Sequence, residues 1–123
     1  KYGNTFLAEA VVREIKGSKH EKILLTPMRR SEDFLIPKES FPEADVTLIL
    51  ITAPDTVRFR RLSARGREND PRDIEIFRKQ EKREFEIFNF EKTFSYADHE
   101  IENTGSLDEL KRKIDQIMAE IEQ

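Results

Sequence analysis

The sequence predicts an α/β fold built on a parallel sheet with helices on both faces, and three observations carry that expectation. Residues 46–53, VTLILITA, form an apolar run rich in β-branched side chains, the pattern of a strand covered on both faces. Two shorter stretches, 23–26 (ILLT) and 99–103 (HEIEN), read as further strands. Amphipathic segments with capping residues separate them, and strands that alternate with helices imply right-handed crossovers between parallel neighbours.

The elements follow in order. Asn4 can cap a helix in which Phe6, Leu7, Ala10, Val11 and Ile15 recur at helical spacing up to Gly17. After the polar turn GSKHEK comes the strand 23–26, which Pro27 ends. Ser31, followed by Glu32 and Asp33, caps a short helix that Pro37 and Pro42 limit, so 31–42 is expected to be helical only in part. Pro54 and Asp55 then start a helix through about Ala64, which Gly66 interrupts. Asp70 and Pro71 start the next helix, which runs to about Phe88 with Ile74, Phe77, Phe85 and Phe88 near one face. The strand near His99 follows. Ser106 and Glu109 then make a capping box for a last helix with Leu107, Leu110, Ile114, Ile117 and Ile121 on its apolar face.

Composition excludes several classes. Nine Phe in 123 residues supply bulky core candidates despite a charged fraction of 38%, which argues against disorder. Lys and Arg total 22 against 25 Asp and Glu, and this slight acidity argues against general nucleic-acid binding, which draws on a basic excess. The absence of Cys removes disulfides and thiolate metal sites. The longest apolar run is too short to span a bilayer, and no signal peptide opens the chain. A soluble, cytoplasmic protein without membrane partners is expected, and a chain beginning at Lys1 rather than Met reads as a fragment.

Against that acidic average stands RFRRLSARGREND, 58–70, with Arg58, Arg60, Arg61, Arg65 and Arg67. On a helix Arg58, Arg61 and Arg65 share one side while Arg60 points elsewhere. A solvated helix face with salt bridges to acids in 68–86 would use arginine this way, and Glu81 and Glu84 are candidates for those pairs. So would a phosphate clamp, since the planar guanidinium binds phosphate through two hydrogen bonds and keeps its charge. Gly66 favours the clamp by giving the chain a flexible break between Arg65 and Arg67. Arg29 and Arg30 in TPMRRSED follow the strand 23–26, at the end of a parallel strand where α/β sheets receive ligands; an ordinary charged loop is the alternative. ENTGS, 102–106, has the composition of a turn. His20 and His99, the only histidines, lie far apart in sequence, so a histidine metal site is not expected. The four glycines cannot compose G-x-x-x-x-G-K-[ST], the backbone cradle for nucleoside triphosphates.

The succession KYGNTFLAEAVVREI, ILLTPMRRSED, ADVTLILITAPDTVRFRRLSARGREND and ADHEIENTGSLDELKRKID resembles the P-loop kinase-like ATPases related to dephospho-CoA kinase and the nucleoside monophosphate kinases. The likeness covers nearly the whole chain. It implies a three-layer P-loop NTPase-like parallel sheet that is incomplete here, because the central strand carrying the phosphate loop would precede Lys1. It also implies a single partial domain over 1–123, with a lid-type segment at about 58–88. By the same resemblance Arg61, Arg65 and Arg67 would stabilise the transferred phosphoryl group. Arg58, Asn103, Thr104 and Gly105 would contact the nucleotide, and Arg29 and Arg30 would face a small phosphate acceptor. Thr26 and Pro27 stand where relatives often have Asp and Gly. ATP and Mg²⁺ are the implied cofactors. A missing N-terminal segment, direct pairing of 22–26 with 46–52, or a second copy of the chain would complete the sheet. A non-catalytic regulatory or interaction module with the same fold is the competing reading.

Overall fold

The computed structural model describes residues 5–26 and 28–122. The elements are α1 (Phe6–Lys16), α2 (Ser31–Ser40), β1 (Ile49–Thr52), α3 (Asp55–Arg65), α4 (Ile74–Phe88), α5 (Phe90–Phe94), β2 (His99–Glu102) and α6 (Leu107–Ile121). The protein is α/β, with β1 and β2 forming a two-stranded parallel sheet in the register Ile49↔His99 to Thr52↔Glu102. The chain divides into two compact units. One combines the chain up to Leu48 with Phe85–Tyr96; the other combines Ile49–Glu84 with the chain from Ala97. No helix among the described residues is long and apolar enough to cross a membrane.

In the first unit α1 packs on α2, and α2 on α5. Ala8, Val12, Phe34 and Pro37 are buried there, and Phe34 meets the Tyr96 ring at 6.2 Å. The expected helix α1 forms, but its buried side chains are Ala8 and Val12, whereas Phe6, Leu7 and Val11 of the apolar set read from the sequence are exposed; the Asn4 cap lies outside the described residues. The α2 cap differs from expectation. Ser31 is the first helical residue and is buried, and the side chain that reaches back is Asp33, whose Oδ2 accepts the N–H groups of Arg29 (3.1 Å) and Arg30 (3.0 Å). The extended backbone of Arg30 aims its N–H at that carboxylate. Asp33→Ala should therefore lower stability by about 1 kcal/mol, read as a lower urea midpoint at unchanged slope with faster amide exchange at Arg29 and Arg30. Pro37 does not limit α2 as expected, because it lies buried inside the helix. Pro37 has no N–H for the carbonyl four residues back, yet the helix continues for most of another turn, where Phe41 donates to the Pro37 carbonyl at 3.2 Å.

The expected strand at 23–26 is not formed. An extended segment needs a neighbouring ladder for its backbone groups, and 23–26 pairs with no strand among the described residues. Leu24 is accordingly 88% exposed. Direct pairing of 22–26 with 46–52, one of the alternatives for completing the sheet, is not among the ladders of the described residues, and Pro27 lies outside them.

In the second unit the apolar run 46–53 yields only the four residues of β1, because the ladder is as long as its partner β2. The Asn103 N–H adds one bond beyond it, to Thr52 O at 2.6 Å. α6 packs on β2 and Ile101 is 3% exposed, whereas its ladder partner Ile51 is 50% exposed. Within this unit β1 is thus not covered on both faces as its composition predicts. α6 begins as expected, with Ser106 Oγ accepting the Glu109 N–H at 3.2 Å. α3 ends at Gly66, whose φ of 63° is the left-handed geometry that glycine adopts without penalty. α4 starts at Ile74 rather than at Asp70. Asp73 Oδ1 accepts the Glu75 N–H at 2.6 Å, while Asp70 is taken by Arg65. α4 ends at Phe88 as expected. Asn89, with φ 51°, breaks the chain into the unpredicted α5.

Candidate functional site

Parallel pairing in register brings the carboxyl ends of β1 and β2 to one edge, where α/β sheets receive ligands. Ala53 and Pro54 follow β1 and lead directly into α3; residues 103–105 follow β2 and lead into α6. The side of α3 that carries arginine faces this edge. Arg58 Nε donates to the Ala53 carbonyl at 2.8 Å. Arg61 reaches across to the other loop, donating from Nη1 to Asn103 O at 2.7 Å and from Nη2 to Gly105 O at 3.4 Å. Of the residues singled out in the sequence, Arg58, Arg61, Asn103 and Gly105 are thereby brought together, with exposed Thr104 between the last two.

The other donors of these arginines meet acids, as the helix-face reading expects. Arg58 forms an ion pair with Glu81 and lies 5.6 Å from the centre of the Phe77 ring, which packs on Phe59 at 5.5 Å. Glu84, the other acid suggested by the sequence, forms no ion pair among the described residues. Arg78 Nε donates to Asp55 Oδ2 at 2.7 Å, and that hydrogen bond holds the Asp55 carboxyl below its ordinary pKa. Arg65 grips Asp70 with two hydrogen bonds, Nε to Oδ2 at 2.8 Å and Nη2 to Oδ1 at 2.7 Å. The bond from Arg65 lowers the Asp70 pKa against the opposing effect of burial, and the charge of Arg67 adds to the lowering. The exposed side chains of Arg60 and Arg67 make no hydrogen bond or ion pair among the described residues.

Arg29 and Arg30 lie in the first unit, with guanidinium carbons 5.4 and 5.2 Å from the centre of the Phe88 ring. They do not leave the end of a strand, as the sequence predicts, because 23–26 is not one. Instead the Arg29 carbonyl accepts the hydroxyl of buried Thr93 at 3.0 Å, and Arg29 borders an apolar groove of about 630 Å³ with Leu7, Val11, Leu24, Leu25 and Met28. No group of three His, Asp or Glu among the described residues is placed to hold a metal ion. His99 Nδ1 lies 3.9 Å from Glu120 Oε2, an arrangement for at most a single ion pair.

Chemically, the sheet edge of the second unit can attract and orient an anion: it presents guanidiniums and loop backbone. Asp70 falls within the acids of 68–86 that the helix-face reading expected to pair, whereas the pairing of Asp55 with Arg78 was not anticipated. A visible signal was present for Asp70, an acid placed just past a glycine break from Arg65. No comparable pattern marks the Asp55–Arg78 pair, which joins separate helices.

No protein-family model matches the chain, and no solved structure matches it significantly. Curated relatives do. A UPF0200 protein of Thermococcus sibiricus is 32% identical over 111 residues, which cover 90% of this chain and 57% of the relative. A UPF0200 protein of Thermococcus gammatolerans is 26% identical over 97% of this chain and 63% of its own length. A third, from Methanothermobacter thermautotrophicus, is 29% identical over 98% and 62%. Those names assign no activity. The chain is thus similar to UPF0200 proteins along almost all of its length, and it spans only about 57 to 63% of these relatives.

Proposed function

We propose that this chain is the C-terminal portion of a cytoplasmic ATP-dependent phosphotransferase of the P-loop kinase-like class, related to dephospho-CoA kinase and the nucleoside monophosphate kinases. One observation carries the reading: the arginines of α3 gather at the carboxyl edge of a parallel sheet, where Arg58 and Arg61 hold the loops that follow both strands. In the reading, Asn103, Thr104 and Gly105 border the nucleotide. Arg65 and Arg67 offer guanidinium hydrogens to the phosphates, and Arg61 orders the loop while retaining donors for the same charge. ATP supplies the phosphoryl group. The arginines fit its phosphates, whereas the described residues supply no ligand set for Mg²⁺, so no step is assigned to the ion. Arg29 and Arg30 suit an anionic acceptor. Such an enzyme acts through positioning and electrostatic stabilisation.

The proposed architecture is the three-layer P-loop NTPase-like sheet. Residues 23–26 enter it once a neighbouring strand, from an N-terminal segment or a second copy, satisfies their backbone. A second reading, a non-catalytic regulatory or interaction module, draws support from a different fact: Arg58, Arg61 and Arg65 each already hold a protein acceptor.

The test uses the full-length protein, with calorimetry for ATP and a transfer assay in Mg²⁺ with nucleoside monophosphates and dephospho-CoA as acceptors. ATP binding and phosphoryl transfer, both lost when the region upstream of Lys1 is removed, are the expected result. Absence of ATP binding would favour the non-catalytic module. Steeply salt-dependent DNA or RNA binding would instead make the arginine helix a nucleic-acid element.

A further inference from the structure

We propose that Asp70 is the positioning residue of the arginine segment: it holds Arg65 by the Nε/Nη2 edge of its guanidinium so that the Nη1/Nη2 end faces an incoming phosphate. The proposal rests on the anion-binding reading of this segment given above. A guanidinium carries five N–H donors in a planar fork. Asp70 takes the Nε–H and one Nη2–H, which lie on the same edge. The Nη1 group and the outer Nη2 hydrogen are left in a fixed plane, on a side chain that is 44% exposed.

Three features make this a support rather than an ordinary surface ion pair. The Asp70 side chain is only 15% exposed, so the carboxylate is anchored while its partner remains open to solvent. The pair closes over the left-handed turn at Gly66, which reverses the chain between Arg65 and Arg67. Lastly, Arg67 acts on the Asp70 carboxylate through its backbone N–H and then its charge, while its side chain forms no ion pair among the described residues. Two cations around one carboxylate leave a net positive group, and one of those cations is held in orientation by the acid.

A carboxylate beside a cationic site ordinarily weakens anion binding through its charge. A positioning role predicts the opposite sign, because an ordered guanidinium loses less freedom when it binds a planar oxyanion. The sign of the effect is therefore the discriminating measurement.

The experiment titrates the full-length protein with inorganic tripolyphosphate by calorimetry, comparing wild type, Asp70→Asn, Arg65→Ala and the double variant. Asp70→Asn is expected to weaken tripolyphosphate about tenfold in the Arg65 background, the scale of about 1.4 kcal/mol. In the Arg65→Ala background the same change should leave affinity unaltered or slightly raised. Glutamate at position 70 (Asp70→Glu) keeps the charge and should restore part of the loss. Tighter binding by Asp70→Asn, an equal loss in both backgrounds, or no tripolyphosphate binding by wild type would each overturn the proposal. Because the probe is an inorganic anion, the expected pattern without phosphoryl transfer would reject the kinase reading and leave the role of Asp70 standing. Thermal unfolding of each variant separates a binding loss from a folding loss.

Discussion

Ile101→Ala is expected to destabilise the second unit by about 2–5 kcal/mol, the usual cost of truncating a buried isoleucine. Ile101 is 3% exposed beneath α6, so removing its side chain loses transfer energy and leaves a space that the β2–α6 packing closes only partly. The control is Ile51→Ala. Ile51 is the ladder partner of Ile101 and points to the same face, since paired residues in a parallel ladder do. It stands half exposed, and its truncation should cost under about 1 kcal/mol. Urea denaturation of the two variants measures the difference. Equal losses at the two positions would show that a further element covers β1 and would contradict the one-sided packing described above. The long apolar run around β1 makes that control informative, because its composition alone argues for burial on both faces.

The second large effect concerns chemistry. In the full-length protein, replacing Arg65 and Arg67 together by Ala should lower kcat/KM for phosphoryl transfer by about 10³-fold, within the range for arginines that stabilise a transferring phosphoryl group. The charge of that group spreads over its oxygens in the transition state, and a preorganised guanidinium aimed at those oxygens stabilises it more than it stabilises bound substrate. The loss should therefore fall mainly on kcat, with KM for ATP changed less. Both residues are exposed, but removing Arg65 also takes both side-chain hydrogen bonds from Asp70, so thermal unfolding of the variant is needed to separate a folding loss from a loss of transfer. Transfer unaffected by the double change would remove the lid assignment. Arg58 is a poor choice for the same test, because its bonds to the Ala53 carbonyl and to Glu81 tie it to the fold.

Much of the architecture was legible because its signals are local. The helical spacing of Phe6 to Ile15, the Ser106 cap read by Glu109, the glycine stop after Arg65 and the strand at HEIE all depend on residues within a turn or two of one another. Helix starts were less legible. Asp33 displaced Ser31 at α2, and Asp73 displaced Asp70 at α4, since an acid close to a helix start can cap it from more than one position. Asn89 shows the same limit: a residue that tolerates left-handed backbone does so only where neighbouring packing asks for it, and α5 begins there.

The arginine cluster, as a concentration of charge after an apolar strand and before a separately started helix, is a property of the amino-acid order alone. The direction of each guanidinium is not. Arg61 turns to carbonyls 42 residues away and Arg78 to an acid 23 residues away, and such partners are chosen by the parallel register of β1 with β2 and the packing of helices, which no local pattern encodes. Residues 23–26 make the same point from the other side. Their composition favours a strand, yet strand formation is a property of a pair, and the backbone takes that form only when a neighbour supplies the ladder.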